Sequence, residues 1–474
     1  MNRSIRIASL FSLLLILVLI ANLSWIQTFR EDDLAQNPLN GRAFLEMKST
    51  PRGQISAGGQ ILAQSNQDAN ELYQREYVTE PEAFGPVVGY LSDIYGAAGL
   101  ESGLNSVLNG TDSSLFTSQW LDVISGKTTH GANVELTLDP AVQEVAYEQL
   151  SQSDYEGAVV ALRPSTGEVL AMASSPSYDP NQIVNPDTAE SAWEEYTSDE
   201  GAPLLNHATQ ESLPPGSIFK IITSAAALEN GYSADSTVTA ASEVTLPGTT
   251  TTLTNYDGQT CDGGGTTTLL TAFQYSCNTA FVETGIDVGT DAMRAAAEDF
   301  GVGQSYDLGL DNVPGGLGEI PDDAALGQSS IGQRDVEMTV LQAAVMAGTV
   351  SNGGVRMEPY LVSRVTGQDL SELSSHKPES AGGIEPEIAE QLTELMKASE
   401  RHTSGYAGVE IASKTGTAEH GDENTPPHTW YVAFNNDVAV AVLVKDGGGF
   451  GTTATGGKVA APIGRAVLQA AGGF

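Results

Sequence analysis

The sequence predicts an α+β protein in which an antiparallel sheet carries helices on its faces, behind a small mixed N-terminal domain and one transmembrane helix. Three observations support this prediction. An uncharged apolar stretch of 23 residues lies near the N-terminus, at 7–29. Strand-like apolar runs occur at 157–176, 429–436 and 438–445, far apart in the chain. Helical patterns fill the interval between them, an order typical of an α+β architecture.

The composition is that of a globular protein with a large acidic excess. The 474 residues suffice for two or three domains with sizeable cores, and 40% hydrophobic content is not that of a disordered chain. Acidic residues number 60 against 21 basic ones, a formal charge of −39. Binding to nucleic acid needs a basic surface, so we expect no nucleic-acid partner. The charge suits an extracytoplasmic medium, although a merely soluble acidic surface explains it equally well.

Cysteine and histidine usage limits the disulfide and metal chemistry. Cys261 and Cys277 permit one bridge in an oxidising compartment, and two buried free thiols are the alternative. In a chain-entropy model a bridge over a loop of this size contributes about 3 kcal/mol. The six histidines are scattered and form no H-E-x-x-H motif. We therefore expect no metal and no cofactor.

The N-terminal stretch predicts a single-pass membrane anchor. Residues 7–29 are long enough to cross about 30 Å of hydrocarbon as a helix. Arg3 and Arg6 precede the stretch, whereas Arg30 is followed at once by three acidic residues. This bias predicts a cytoplasmic tail at 1–6 and an extracytoplasmic chain beyond the membrane. A cleavable signal peptide is the alternative, but its core would be shorter and no A-x-A-like site follows.

Two regions are expected after the anchor. Residues 30–133 are polar, glycine-rich and mixed, and predict a non-catalytic domain with a hairpin of short strands at 49–65. Residues 134–474 predict the second domain, which begins near a strand and an amphipathic helix within 133–150 and continues with a β-hairpin at 157–176. The other predicted helices lie at 217–230, 265–285, 336–350, 386–400 and 459–471.

A serine and a lysine mark the start of one predicted helix. In "PPGSIFKIITSAAALENG", Ser217 and Lys220 are three residues apart and therefore lie on one helix face. The helix N-terminus favours negative charge that develops near Ser217. Taken alone, the motif is equally a serine near an N-cap with a solvated lysine. The second S-x-x-K, from Ser374 to Lys377, is followed by Pro378 in a polar stretch, and we expect a loop there.

Two further triplets accompany this motif. S-x-N occurs once, from Ser276 to Asn278, inside a helical pattern that would fix a hydroxyl and a carboxamide. K-T-G occurs once, from Lys414 to Gly416, in the alternation of an edge strand, where glycine allows close approach. Each triplet alone occurs by chance in many proteins. The three in this order, about 60 and 140 residues apart, are a specific signal.

These triplets are the signature of penicillin-binding proteins and class A β-lactamases. The chain resembles a penicillin-binding transpeptidase domain over roughly 134–470, including the segments "LTLDPAVQEVA" and "GAVVALRPSTGEVLAMASSPSYDPN". "NGRAFLEMKSTPRGQI" is similar to the membrane-proximal segment of class B penicillin-binding proteins. The short N-terminal region resembles the compact penicillin-binding protein A branch. The resemblance implies a serine transpeptidase/β-lactamase-like domain.

The activity that the resemblance implies is D,D-transpeptidation, which cross-links peptidoglycan stem peptides during cell-wall synthesis or division. Ser217 would attack the D-Ala–D-Ala carbonyl, and Lys220 would be its base. A lysine is a base only when neutral, and lowering its pKa to 7–8 takes roughly 4 kcal/mol. Burial and the like charge of Lys414 would act in that direction. Ser276 would relay a proton, and the backbone N–H groups of Ser217 and Thr417 would form the oxyanion hole.

The resemblance also implies how substrate is held. Asn278 would donate to the substrate amide, while Lys414, Thr415 and Thr417 would bind the terminal carboxylate, or the carboxylate of a β-lactam acting as a covalent inhibitor. Gly416 would let the ligand approach the strand. The implied partners are stem peptides, β-lactams, the cytoplasmic membrane and other cell-wall or division proteins.

Two other functions stay open at this point. One is a D,D-carboxypeptidase or β-lactamase, although Cys277 replaces the usual middle Asp of class A β-lactamases and no deacylating glutamate is evident. The other is a membrane-anchored β-lactam sensor or division scaffold. Three intact motifs disfavour a scaffold, and a sensor would need more than the six residues before the span. A glycosyltransferase domain would not fit before residue 134.

Overall fold

The computed structural model describes residues 2–29, 48–69, 71–112, 130–422 and 424–472, so residues 30–47, 70 and 113–129 of the predicted N-terminal domain lie outside this part. The strands are β1 (Ile55–Ala57), β2 (Gln60–Gln67), β3 (Tyr73–Tyr77), β4 (Leu91–Ser92), β5 (Gly96–Ala97), β6 (Asn133–Leu136), β7 (Gly157–Leu162), β8 (Val169–Ser175), β9 (Thr237–Thr239), β10 (Glu243–Thr245), β11 (Thr252–Thr254), β12 (Thr266–Thr268), β13 (Val355–Met357), β14 (Val362–Thr366), β15 (Glu372–Ser375), β16 (Ser380–Gly383), β17 (Ala412–Ala418), β18 (His428–Asn435) and β19 (Val438–Val444). The α-helices are α1 (Asn2–Phe29), α2 (Pro81–Val88), α3 (Gly99–Gly103), α4 (Asn105–Leu108), α5 (Pro140–Ser151), α6 (Pro180–Val184), α7 (Ala189–Ser198), α8 (Lys220–Glu229), α9 (Leu269–Gln274), α10 (Asn278–Asp299), α11 (Asp323–Ser329), α12 (Val340–Ser351), α13 (Pro386–His402) and α14 (Ala460–Ala470).

The first helix, α1, is the candidate membrane span. Its segment Ile5–Ile26 has a mean hydropathy of 2.5, and none of that segment is buried against the rest of the described protein. An apolar helix of 22 residues is long enough to cross the hydrocarbon core. Length and composition therefore agree with the predicted anchor at 7–29.

The central sheet has five antiparallel strands in the order β17-β18-β19-β7-β8. Every residue of β19 and of β7 is buried. Because helices cover both faces of the sheet, these inner strands are apolar throughout and do not alternate apolar with polar residues. The strand β17 lies at one edge, as the alternation around K-T-G predicts, and the α+β fold class is confirmed.

Alternate residues of the sheet belong to two different cores. Trp430 and Val432 of β18 belong to the larger core, which also contains residues of α8, α9, α10 and α12. Tyr431 and Ala433, one residue along, belong to the smaller core, together with residues of α5 and α14. This period-two alternation fixes the register of the sheet, since a slip of one residue would exchange the two faces. It also decides which side chains of β17 can reach the larger core.

A second sheet joins the N-terminal region to later parts of the chain. Its six strands have the order β15-β14-β6-β1-β2-β3, in which β1 and β6 are parallel. The pair β1 and β2 forms the hairpin predicted at 49–65. Since β14 and β15 come from residues 362–375, this sheet is built from segments of both predicted domains. The boundary predicted between residues 133 and 134 falls inside β6.

A buried ionic cluster fastens this N-terminal sheet to helix α3. The carboxylate of Glu101 is fully buried and lies 2.6 Å from Nε of Arg52 and 2.5 Å from Nε of Arg75. Burial alone would raise the pKa of Glu101, but the two guanidinium groups lower it below its ordinary value. The stabilising contribution of the carboxylate is therefore present at neutral pH and lost as acid protonates it in the native state.

Two sequence predictions about local structure are wrong. The single helix predicted at 265–285 is instead strand β12 followed by α9 and α10, with a break at 275–277. The polar stretch containing Ser374 and Ser375 is the end of strand β15, not a loop. That strand pairs on one side with β14 and leaves most of its side chains exposed, so it needs no apolar residues. The other predicted helix at 336–350 begins only at Val340, where Thr339 and Gln342 form a capping box.

We predict that Glu101→Gln lowers the free energy of unfolding by about 3–5 kcal/mol, because it leaves two buried guanidinium groups without their counter-charge. Urea unfolding of the detergent-solubilised protein, followed by tryptophan fluorescence, measures the loss. The control is Glu394→Gln, which removes an exposed pair with Lys397 and should cost less than about 0.5 kcal/mol. Equal effects of the two substitutions would contradict the importance of the buried cluster.

Candidate active site

Ser217 lies in a 3₁₀ turn, Gly216–Phe219, that leads directly into α8. The turn depends on Gly216, which has φ 54° and donates its N–H to the carbonyl of Gly332 over 2.9 Å. A Cβ atom at Gly216 would lie only 2.9 Å from the carbonyl oxygen of Thr417. A glycine is therefore needed both for the left-handed backbone and for contact with strand β17. The turn sets the Ser217 backbone against the edge of the central sheet.

The hydroxyl of Ser217 is available for reaction. Its residue is half-buried, and within the described ranges its Oγ makes no hydrogen bond to another side chain or to backbone. The adjacent turn is held independently, because Trp430 Nε1 donates to the carbonyl of Pro214 over 2.9 Å. The structure thus fixes the backbone of the serine and leaves its side chain uncommitted.

Lys220 is the first residue of α8 and is completely buried. Its Nζ lies 2.7 Å from the carbonyl oxygen of Ser276, 2.7 Å from Oδ1 of Asn278 and 3.2 Å from Oγ of Ser276. The centroid of the Phe281 ring lies 5.5 Å from the same nitrogen. A neutral amine donates to the carbonyl and to Oδ1 and directs its lone pair toward the hydroxyl, and an aromatic face excludes water from one side.

Ser276 lies at the break between α9 and α10, where helix periodicity predicted continuity. Its φ of 58° is uncommon for a residue with a side chain and costs of order 1 kcal/mol or more. Backbone hydrogen bonds from Ser276 to Phe273 and from Cys277 to Ala272 hold the turn. Cys277 also forms a disulfide with Cys261. The surrounding structure thus maintains the unusual conformation that turns this hydroxyl toward the two lysines.

Lys414 approaches the same hydroxyl from strand β17. Its side chain is 1% exposed, and its Nζ donates to Ser276 Oγ over 2.8 Å and to the carbonyl of Thr415 over 3.0 Å. The Phe273 ring centroid lies 5.7 Å from the nitrogen. Oγ of Ser276 consequently lies between the amines of Lys220 and Lys414. The three triplets separated in sequence meet at this one oxygen.

In the part of the chain that the structure describes, no carboxylate compensates these two lysines. Among the described residues, neither Lys220 nor Lys414 forms an ion pair with Asp or Glu. Burial lowers the pKa of Lys220 well below its ordinary value, and the like charge of Lys414 lowers it further. Burial lowers the pKa of Lys414 to about 7. Burial therefore disfavours the protonated form of both amines.

Asn278 uses both ends of its carboxamide. Its Oδ1 accepts from Lys220, while its Nδ2 donates to the carbonyl of Thr254 over 3.0 Å. An amide nitrogen carries two hydrogens, so one N–H remains for a substrate carbonyl. The position of this residue at the start of α10, beyond the helix break, brings the carboxamide beside the lysine.

The side chains of Thr415 and Thr417 in β17 lie on the face opposite to that of Lys414, because successive side chains alternate between the two faces of a strand. Both side chains are half-buried, and Thr417 Oγ1 accepts from the N–H of Gly456 over 3.4 Å. The carbonyl of Thr417 faces Gly216 at the open edge of the sheet. The N–H and C=O of one residue in an antiparallel strand point to the same side, so the Thr417 N–H also faces the Ser217 turn. The structure thus brings the backbone of Thr417, rather than its side chain, beside the turn.

Gly416 explains why the third triplet ends in glycine. A Cβ atom there would lie 2.8 Å from the carbonyl of Pro215, 2.9 Å from Cβ of Trp430 and 3.1 Å from Cγ2 of Ile218. The glycine permits contact between β17 and the turn that bears the serine. The sequence predicted close approach at this position, and the partner in the structure is the protein's own backbone.

The buried carboxylate of Glu400, which lies behind β17, could not be predicted from a sequence motif. Glu400 at the end of α13 accepts hydrogen bonds from Ser413 Oγ (2.5 Å), Tyr431 OH (3.0 Å) and Arg465 Nε (2.8 Å). These donors lie on β17, β18 and α14, so one side chain ties the edge strand to two other elements. The partners are 13, 31 and 65 residues away from Glu400, too far for a local motif.

Comparison with known proteins decides the family. Residues 157–469 match the penicillin binding protein transpeptidase domain, and residues 52–134 match the penicillin binding protein A dimerisation domain. The chain belongs to the penicillin-binding protein transpeptidase family. The family that the three triplets predicted is thereby confirmed.

Relatives of this penicillin-binding protein align over almost its full length. The peptidoglycan D,D-transpeptidase PbpA of Mycolicibacterium smegmatis is 46% identical, with 99% of each chain covered. The protein of the same name from Mycobacterium tuberculosis is 44% identical with the same coverage. The ceftriaxone acyl-enzyme complex of penicillin-binding protein A from M. tuberculosis gives a TM-score of 0.86 at 44% identity, covering 90% of this chain and 99% of that one.

We predict that Gly416→Ala slows acylation by a penicillin at least about tenfold, because the new methyl group forces β17 away from the turn that bears Ser217. Stopped-flow measurement with a fluorescent penicillin gives the rate. The matched control is Gly457→Ala, whose Cβ would meet only ordinary contacts at 3.6 Å and should leave the rate within about twofold. Similar rates for both variants would show that the close packing at Gly416 does not position the site.

Proposed function

We propose that this chain is a membrane-anchored peptidoglycan D,D-transpeptidase in which Ser217 forms the acyl-enzyme. The observation that carries the proposal is the convergence of Lys220 and Lys414 on the hydroxyl of Ser276. Lys220 itself lies one helical turn from Ser217, whose hydroxyl has no hydrogen-bond partner in the described part of the chain. The named activity of the PbpA relatives supports the same conclusion.

In the first half of the reaction, neutral Lys220 takes the proton of Ser217 Oγ as this oxygen attacks the penultimate carbonyl of the stem peptide. A C–O bond forms, and the negative charge on the carbonyl oxygen is held by the backbone N–H groups of Ser217 and Thr417. The proton then passes through Ser276 to the leaving nitrogen. Cleavage of the C–N bond releases D-Ala and leaves an ester on Ser217.

In the second half, the amine of a neighbouring stem peptide attacks the ester. Ser276 and Lys220 remove the proton from this amine and return it to Ser217 Oγ as the C–O bond breaks. Hydrolysis would instead need a group that activates water. No carboxylate within the described ranges bonds to Ser217, Lys220, Ser276 or Asn278, and this observation favours an amine acceptor over the carboxypeptidase or β-lactamase alternative.

Substrate binding follows from the same groups. The free N–H of Asn278 donates to the substrate amide. The terminal carboxylate lies along the open edge of β17, which the side chains of both strand faces border. Protonated Lys414 attracts the carboxylate from one face, and the hydroxyls of Thr415 and Thr417 donate to it from the other, across Gly416. A β-lactam presents a comparable carboxylate and a strained amide, so it acylates Ser217 and remains there. Structures of M. tuberculosis penicillin-binding protein A as ceftriaxone, imipenem and penicillin G acyl-enzymes support this inhibition.

The wider organisation belongs to the same proposal. Residues 1–6 are cytoplasmic, 7–29 span the membrane, 30–133 form a non-catalytic domain, and 134–474 form the extracytoplasmic transpeptidase domain. The charge bias around α1 supports this topology. The N-terminal sheet, with its similarity to a dimerisation domain, offers a surface for other cell-wall synthesis or division proteins.

We predict that Ser217→Ala abolishes covalent labelling of the full-length protein by penicillin, because no other hydroxyl occupies the turn beside β17. Intact-mass and peptide mass spectrometry give the adduct and its position. The control is Ser374→Ala, which removes the serine of the second S-x-x-K on strand β15 and should leave labelling unchanged. An adduct that persists in Ser217→Ala would refute the assignment of the nucleophile.

A further inference from the structure

Two histidines and an aspartate meet at the end of the central sheet. His420 follows strand β17, His428 begins β18, and Asp446 follows β19. One ligand atom from each lies within 4.8 Å of the other two. The residues are eight and eighteen positions apart and form no recognisable metal motif, so only the antiparallel pairing of the three strands assembles the group.

The distances in this group suit a metal ion. Nε2 of His420 lies 2.9 Å from Oδ1 of Asp446, and Nδ1 of His428 lies 3.7 Å from the same oxygen. Ligand atoms around a tetrahedral ion with bonds of about 2.0–2.1 Å are about 3.3 Å apart, between the two observed values. Small rotations of the carboxylate and of one imidazole would therefore bring the three atoms to bonding distance.

The Nε2 atom of His420 is available to bind an ion. Its Nε2 is inaccessible to solvent, and among the described residues it has no hydrogen bond, since its contact with Asp446 lacks the required geometry. His428 is 5% exposed, and its Nδ1 accepts only a long hydrogen bond of 3.3 Å from the backbone of Asp446. The two imidazole rings are stacked with centroids 3.8 Å apart, so His420, the more exposed ring, must turn out of the stack to share an ion.

We propose that His420, His428 and Asp446 bind one divalent transition-metal ion, with Zn²⁺ as the best match. Two imidazole nitrogens and one carboxylate oxygen are a ligand set that Zn²⁺ accepts, and water completes the tetrahedron. Mg²⁺ and Ca²⁺ prefer all-oxygen sites, so they fit poorly here.

The position of these three residues determines which strands a bound ion would connect. His428 lies directly opposite Ala418 in the β17–β18 ladder, one residue beyond Thr417. Asp446 belongs to the 3₁₀ turn Lys445–Gly449, and the chain returns from there to place Gly456 against Thr417. An ion at this group would therefore join the ends of β17, β18 and β19 at the rim of the proposed transpeptidase site. It would rigidify the rim without touching the reacting atoms.

The test is a titration of the metal-free, full-length protein in detergent with Zn²⁺, in competition with a chromophoric chelator. We expect one ion per chain, an increased Tm on binding, and affinity at least about tenfold weaker in both His420→Ala and Asp446→Asn. The matched control His376→Ala removes a histidine that stacks on Tyr360, and it should bind Zn²⁺ like the parent.

Two further measurements separate a lost site from a misfolded variant. Both variants should retain penicillin labelling at Ser217, and the Co²⁺-substituted parent should show the intense visible absorption of four-coordinate geometry. Absence of stoichiometric Zn²⁺ binding, or unchanged affinity in the folded His420→Ala and Asp446→Asn variants, would overturn the proposal.

Discussion

Two lysine amines share one serine hydroxyl inside this protein, and no carboxylate in the described chain neutralises them. Lys220 and Lys414 lie 3.2 and 2.8 Å from Ser276 Oγ, and each side chain is almost completely buried. Two protonated amines on either side of one hydroxyl would repel each other in a medium that screens charge weakly. The arrangement therefore favours a state in which at least one lysine has lost its proton. A neutral lysine is also what the serine nucleophile needs, because only a neutral amine can accept the proton of its hydroxyl.

The protein loses stability by burying these groups. The pKa of Lys414 falls from 10.5 to about 7, so between these values the unfolded chain holds a proton that the native lysine has released. Stability consequently decreases as the pH falls through that window, and the loss of about 5 kcal/mol is complete below pH 7. The left-handed Ser276 adds backbone strain. The rigid sheet, the disulfide and the buried Glu400 hold these unfavourable features in place.

Local patterns were enough to predict much of the fold. The apolar runs of β7 and β19, the hairpin at the start of the N-terminal sheet and the helix following Ser217 all have strong short-range signals. The triplets also predicted which side chains would converge, because each motif combines a reactive group with a turn or strand that can position it. Gly416 is the clearest case, since its close contact follows from the absence of a side chain.

The missed features depend on contacts distant in sequence. The break at Ser276 interrupts an otherwise continuous apolar periodicity, and only tertiary packing requires the residue to adopt positive φ. Strand β15 is polar because it lies at a sheet edge. Glu400 and the group formed by His420, His428 and Asp446 are assembled by strand pairing, which composition does not reveal. Local physics thus predicts elements and motifs, whereas the electrostatic environment of the site requires the three-dimensional structure.

The most direct test is the proton affinity of Lys220. The chain has eight lysines, so labelling with ¹³Cε-lysine gives an NMR spectrum in which Lys→Arg variants assign each signal. We expect Lys220 in the full-length protein to titrate well below 10.5, with a midpoint that rises in Lys414→Met, which removes the like charge. A midpoint near 10.5 in both proteins would rule out Lys220 as the base, because the amine would then be protonated at neutral pH.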